Sequence, residues 1–175
     1  FKLPRRPNWK VFETGKSFEF KSFKIHPFSV PHDAYDPVGF YFQWGSGDLF
    51  NPLGSLAWVT DLGFVPTLVR ERIRQAKILV VESNYCPKLL EADHKRPWSL
   101  KQRISSRHGP LSNQSTFELL NSYPSPCWRE IFIMHLSKDC NDVDLVKNQF
   151  SKLNGQGNRF ITYVIDPNSA KPHQI

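Results

Sequence analysis

No stretch of this 175-residue chain is apolar for long enough to cross a bilayer, which excludes a membrane-spanning role. Cysteine is scarce. Cys86, Cys127 and Cys140 show no CxxC or paired spacing, so the chain writes out neither a disulfide framework nor a thiolate zinc site. An odd count without a framework points to free thiols in an intracellular, reducing compartment. Internal repeats are absent, which excludes solenoids and propellers, and no segment is of low complexity. Acidic residues are outnumbered, 16 against 23 Lys and Arg, for a formal charge of +7. That excess favours acidic partners such as phosphorylated substrates or nucleic acid, although many basic proteins bind neither. The chain starts at Phe1 with neither a methionine nor an apolar leader. The expectation is that an upstream targeting sequence or domain has been lost or omitted.

What is present suits one domain or a large part of one, with apolar and aromatic content sufficient for a core. Residues 1–15 read as an extended basic lead-in, 16–167 as the domain and 168–175 as a polar tail. Alternation predicts one or two strands over 18–28, and further strands are read over 40–44, 55–60, 78–81, 130–134 and 160–165, of which 55–60 is mostly apolar and 78–81 a short apolar run. A helix is expected after Pro66, another over 98–107, a third capped by Ser112 and a fourth over 142–153. Strand, helix and strand in succession indicate packing around a sheet.

Three good metal ligands stand at or just past the ends of apolar, strand-like runs: His32, Asp61 and His135. Ligands distant in sequence but alike in position are how an α/β sheet edge assembles a site. Each also has a plain structural reading. His32 in a proline-bearing loop reads either as a ligand or as a turn cap. Asp61 ends an apolar run where an ionised carboxylate needs a cation or several donors, yet it also suits a turn before Gly63. His135 reads as a ligand or as a satisfied strand-end histidine. If the site holds two metals, Asp61 is the natural bridge, because its two oxygens can serve different ions.

Other polar residues gather nearby in the sequence. Asp33 and Asp36 are either carboxylates that orient an imidazole or turn formers. Glu82 is placed to hold a ligating histidine, to relay a proton or to bond a neighbouring loop. His108 is the best residue outside the ligand set for proton transfer to a leaving group, and an ordinary surface histidine otherwise. Lys95, Arg96, Lys101, Arg103 and Arg107 form a basic stretch around Trp98. It reads as a nucleic-acid track with one stacking platform or, more commonly, as an amphipathic helix with Trp98 in the core.

Taken in order, VPHDAYDPVGF, TDLGF, VVESN, RPWSLKQRISSRHGPLSN and MHLSKDCN resemble the carboxyl-terminal part of the YycJ-like branch of the metallo-β-lactamase-fold hydrolases. The resemblance runs from about Phe18 to Asn141 and extends more distantly to the tRNase Z and RNase J nucleases. It implies an α+β fold, the carboxyl-terminal part of a four-layer αββα sandwich. It also implies phosphodiester or other ester hydrolysis at a dinuclear centre of two divalent ions, zinc ahead of manganese. Carried over, His32 completes one metal site, Asp61 bridges, and His135 closes the other. The family usually has a second histidine where Pro110 stands, and its hallmark HxHxDH motif is nowhere in this sequence.

Two expectations follow. The first is a nuclease-like or phosphodiesterase-like metal hydrolase, active only with an amino-terminal segment or a protein partner that supplies HxHxDH. Arg103 and Arg107 would then receive a phosphate backbone. The second is a split or degenerate domain with a structural role in a larger, nucleic-acid-containing complex, favoured by Pro110 and the missing motif. On its own the chain offers too few ligands to hold zinc tightly. Two incomplete sheets with open apolar faces are also expected.

Overall fold

Period-two alternation of large apolar residues dominates this sequence, and the chain answers it with one mixed sheet. The computed structural model describes residues 9–153, 159–166, 168–169 and 171–175. The first eight residues of the expected lead-in therefore lie outside the described residues. Eight strands run in chain order across the sheet: β1 (Phe18–Phe20), β2 (Phe23–Ser29), β3 (Val38–Trp44), β4 (Gly54–Val59), β5 (Ile78–Glu82), β6 (Glu130–Met134), β7 (Ile161–Val164) and β8 (His173–Gln174). β1 to β4 are antiparallel neighbours, β4 to β7 are parallel, and β8 returns antiparallel on β7.

Parallel neighbours need crossovers, and the helices supply them. α1 (Thr67–Arg74) joins β4 to β5. α2 (Pro87–Ala92), α3 (Trp98–Ile104) and α4 (Asn113–Ser122) lie between β5 and β6, and α5 (Val143–Phe150) leads towards β7. The cap expected at Ser112 forms, and Asp142, read as the first residue of its helix, caps that helix instead. Ser112 Oγ accepts from the Ser115 amide, and the Asp142 carboxylate accepts from the amides of Asp144 and Leu145.

Ala57, Val59, Leu79, Val81, Ile131, Ile133 and Val164 project to one face and share a fully buried core with Val69 and Ile73 of α1, Leu120 of α4 and Val146 and Phe150 of α5. The opposite face carries two apolar rows set by the strand register. Phe40, Trp58, Val80, Phe132 and Tyr163 form one, and Phe42, Leu56, Ile78, Glu130 and Ile161 the other. No helix covers these rows among the described residues, and Trp58 and Ile161 each stay 42% exposed. The described residues thus hold one sheet with one open face, where two incomplete sheets were expected. The cause is continuous pairing: β4 bonds β3 on one side and β5 on the other.

Two elements escape the sequence reading. α2 has six residues, too few to display a helical period, and Pro87 at its first position is its main signal. β8 lies inside the segment read as a polar tail. It is held by pairing to β7 and by the Ile175 amide donating to the Thr162 carbonyl.

Candidate metal centre

β4, β5 and β6 run parallel and end together, with Val59 paired to Val81 and Glu82 to Met134. That rim is where the polar residues collect. Asp61 lies two residues past β4, Glu82 ends β5, and His135 follows β6. Asp61 and His135 both adopt a left-handed backbone, with φ of 59° each. Non-glycine residues in that region cost on the order of 1–3 kcal/mol and persist where the surroundings over-determine them. For His135 the surroundings are visible: Asn84 Nδ2 donates to its carbonyl at 2.8 Å, and the Ser137 amide donates to the Asn84 carbonyl.

His32 arrives from the loop between β2 and β3. The Gly63 amide donates to the Pro31 carbonyl at 3.0 Å, which fastens the His32 loop to the Asp61 loop. A Cβ on Gly63 would lie 1.8 Å from the Arg107 carbonyl oxygen, so only glycine lets the 106–109 loop close on this corner. His32 Nδ1 donates to the His108 carbonyl at 2.9 Å. That bond fixes the tautomer and leaves Nε2 free, 3.9 Å from Asp61 Oδ1 and 3.5 Å from Asp33 Oδ1. On the other side, His135 Nδ1 lies 3.9 Å from the same Asp61 oxygen.

Glu82 organises the rim from beneath. Its side chain is fully buried. Oε1 accepts from the amides of Leu62 at 2.6 Å and Leu111 at 3.0 Å, and Oε2 accepts from His135 Nδ1 at 3.0 Å. Three donors satisfy a carboxylate whose burial would otherwise be costly. The bond from Glu82, together with the nearby Asp61 charge and against the effect of burial, raises the His135 pKa above its ordinary value. Asp61, Glu82 and His135 offer ligand atoms that all lie within 4.8 Å of one another. Because the Glu82 oxygens are engaged, its chemistry is to orient His135 and leave His135 Nε2 as the free donor. By contrast, the Asp61 carboxylate accepts no hydrogen bond among the described residues. Two imidazoles flank a carboxylate that lacks donors, and this nitrogen and oxygen donor set suits a divalent cation of the zinc type while leaving the shell incomplete.

No family model matches the sequence. The chain is 28% identical over 162 residues to exodeoxyribonuclease YycJ of Bacillus anthracis, covering 90% of this chain and 58% of that protein. It is 30% identical over 167 residues to exodeoxyribonuclease WalJ of Streptococcus pneumoniae, covering 93% of this chain and 59% of that one. Its structure is similar to that of the metallo-β-lactamase-fold protein YhfI of Bacillus subtilis, with a TM-score of 0.56 over 89% of this chain and 50% of that one, at 10% identity. Zinc-bound PqqB of Methylobacterium extorquens gives a TM-score of 0.51 over 87% and 49%, at 16% identity. These structures show that the chain has the metallo-β-lactamase fold. It is homologous to the YycJ and WalJ exonucleases and spans 58–59% of the length of these relatives.

Within this metallo-β-lactamase-fold chain, His32, Asp61 and His135 reach one rim, as the three strand-end positions suggest. Asp33 lies beside His32 but is claimed by Arg103, whose guanidinium holds the Asp33 carboxyl below its ordinary pKa. Asp36 is elsewhere, accepting from Thr14 Oγ1 at 2.8 Å. His108 touches the site through its carbonyl, while its imidazole is exposed and Pro110 lines the cavity beside His32. Sequence reasoning missed the amide network beneath. Asn141 Nδ2 donates to the carbonyls of Ser83 and Asn84 and to Asn113 Oδ1, and Thr116 Oγ1 donates to the Glu82 carbonyl. The available signal was an asparagine at the end of three separate segments, Ser83-Asn84, Ser112-Asn113 and Cys140-Asn141. No helix among the described residues is long and apolar enough to cross a membrane, and all three cysteines are free.

Proposed function

We propose that this chain is the ligand-bearing sheet of a metal-dependent phosphodiester hydrolase of the nuclease type. One observation carries the reading: a single Asp61 oxygen stands 3.9 Å from an imidazole nitrogen of both His32 and His135. In this reading His32, Asp61 and His135 would hold two divalent ions, zinc ahead of manganese, with Asp61 as the ligand they share. The ions would supply Lewis acidity and an activated water for attack at phosphorus. The chain's own residues do the positioning. The His108 carbonyl fixes the tautomer of His32, Glu82 fixes that of His135, and the exposed His108 imidazole is free to transfer a proton to the leaving group.

Further ligands come from an HxHxDH-bearing segment that is either upstream or on a partner, and the same segment covers the open sheet face. In support, the curated relatives are longer than the part this chain matches, and the uncovered rows are almost wholly apolar. The test is hydrolysis of a chromogenic phosphodiester by the complete protein. Activity should vanish on chelation, return with zinc or manganese, and fall by at least about a hundredfold in Asp61→Ala. Hydrolysis that survives both treatments would refute the reading. Pro110 favours a second reading, a non-catalytic domain within a nucleic-acid-containing assembly, because proline can neither transfer a proton nor donate a hydrogen bond. Metal bound at the centre without any hydrolysis would select it.

A further inference from the structure

α3 carries Lys101 and Arg103 beside the candidate metal centre, and it contributes no buried residue to the fold. Trp98, which the sequence reading places more readily in the core, is 70% exposed. A folding chain gains little from an indole held in water, whereas a flat aromatic face gains from any ring laid upon it. Trp98 and Lys101, one turn apart, line the same cavity of about 230 Å³, which Tyr85 and Leu90 floor with buried side chains. The other side of α3, with Leu100, Arg103 and Ile104, lines a second cavity of about 200 Å³ that reaches His32 and Asp33. α3 is thus a ridge between an aromatic notch and the proposed metal ligands.

The charges along the ridge divide into two kinds. Arg96 is claimed by Asp93 and Asp139, Lys95 by Asp139, and Arg103 by Asp33. Lys101 and Arg107 have no carboxylate partner among the described residues. Lys101 Nζ donates to the Glu91 carbonyl, and the Arg107 guanidinium lies 4.3 Å from the centre of the Phe64 ring. Arg107 immediately precedes His108, whose carbonyl holds His32. An exposed indole followed by two cations without acidic partners, leading to phosphodiester chemistry, matches what a single nucleic-acid strand needs: a stacking surface for a base and counter-charges for its phosphates.

We infer that α3 is a single-strand platform, on which one base of a nucleic acid stacks on Trp98 while the adjoining phosphates pass Lys101 and Arg107 towards the metal centre. The inference rests on the phosphodiester-hydrolase reading and adds the path by which substrate reaches that site. Stacking on an indole does not depend on the sugar, so oligothymidylate and oligouridylate should both use the platform, whereas bases paired inside a blunt duplex cannot.

The test is anisotropy of a fluorescein-labelled short oligothymidylate titrated with the protein and its variants. Trp98→Ala should weaken binding about tenfold, Trp98→Phe should stay within about threefold of the parent, and blunt duplex binding should not respond to either. Lys101→Gln and Arg107→Gln should each lower the slope of log affinity against log salt by about 0.7. Oligothymidylate binding that is absent in the parent, or within about twofold of the parent in Trp98→Ala, would overturn the platform. Metal content and hydrolysis of a small chromogenic phosphodiester, measured on the same samples, separate the two readings. Trp98-dependent binding without metal or hydrolysis would leave the platform standing and remove the hydrolase. Metal and hydrolysis with Trp98-independent binding would remove the platform alone.

Discussion

The two faces of the sheet are built from similar residues and meet different fates. On the helix side, Ala57, Val59, Leu79, Val81, Ile131 and Ile133 are wholly buried beneath α1, α4 and α5. On the other side, Phe40, Trp58, Phe132 and Tyr163 stand in register with no helix above them among the described residues, and the Phe12 ring packs edge-on against Phe40 at 5.6 Å. The first face accounts for why the chain folds. The second has the composition of a core without its other half, and large contiguous apolar surfaces of this kind mark interaction sites. The candidate metal centre sits on the rim between them, where the parallel strands end, so one rigid layer positions it.

The covered face should respond most strongly to substitution. Ile131→Ala should cost about 2–5 kcal/mol of unfolding free energy, read by chemical denaturation, because the packed helices cannot close over the cavity. A smaller change of opposite sign is expected on the neighbouring strand, at Thr162, which pairs with Ile131. Thr162 Oγ1 is buried without a hydrogen-bond partner among the described residues, so Thr162→Val should stabilise the chain by about 1 kcal/mol. The open face should behave otherwise. Trp58→Ser should change stability of the isolated chain by less than about 1 kcal/mol while reducing its self-association, measured by sedimentation. A loss as large as that for Ile131 would mean that the two faces do not differ as described.

The smallest effect lies away from both faces, at the corner joining α2 to α3. Arg96 and the Lys95 amide donate to Asp93 and hold its pKa down to about 2. A carboxylate with a depressed folded pKa stabilises the fold above the unfolded value, about 3.9, and that contribution disappears as pH falls towards 2. Asp93→Asn should therefore flatten the dependence of thermal stability on pH between about 4 and 2 and leave the neutral-pH slope unchanged.

Much of this was readable from the residues. Alternation and short apolar runs located seven of the strands, and the cap chemistry of Ser112 placed one helix start, because these signals are local. His32, Asp61 and His135 were legible as a set because each ends an apolar run at the same kind of position. Pairing was not legible: nothing in the local pattern of β4 says that it bonds both β3 and β5 and so makes one sheet. The dual task of Glu82, satisfying two loop amides while orienting His135, depends on contacts 20, 29 and 53 residues away, beyond any sequence window. Trp98 was misplaced for a related reason. An apolar residue on a short helix reads as core unless the tertiary structure leaves that helix outside, as it leaves α3.

If Asp61 is the ligand shared by His32 and His135, metal content of the complete protein must depend on it, which Asp61→Ala and Asp61→Gly test. Elemental analysis should find divalent metal in the parent and its loss in both variants. Asp61→Gly should also unfold at a higher temperature than Asp61→Ala, since glycine adopts the left-handed backbone at φ 59° without strain. Metal retained at the parental stoichiometry in either variant would contradict the account.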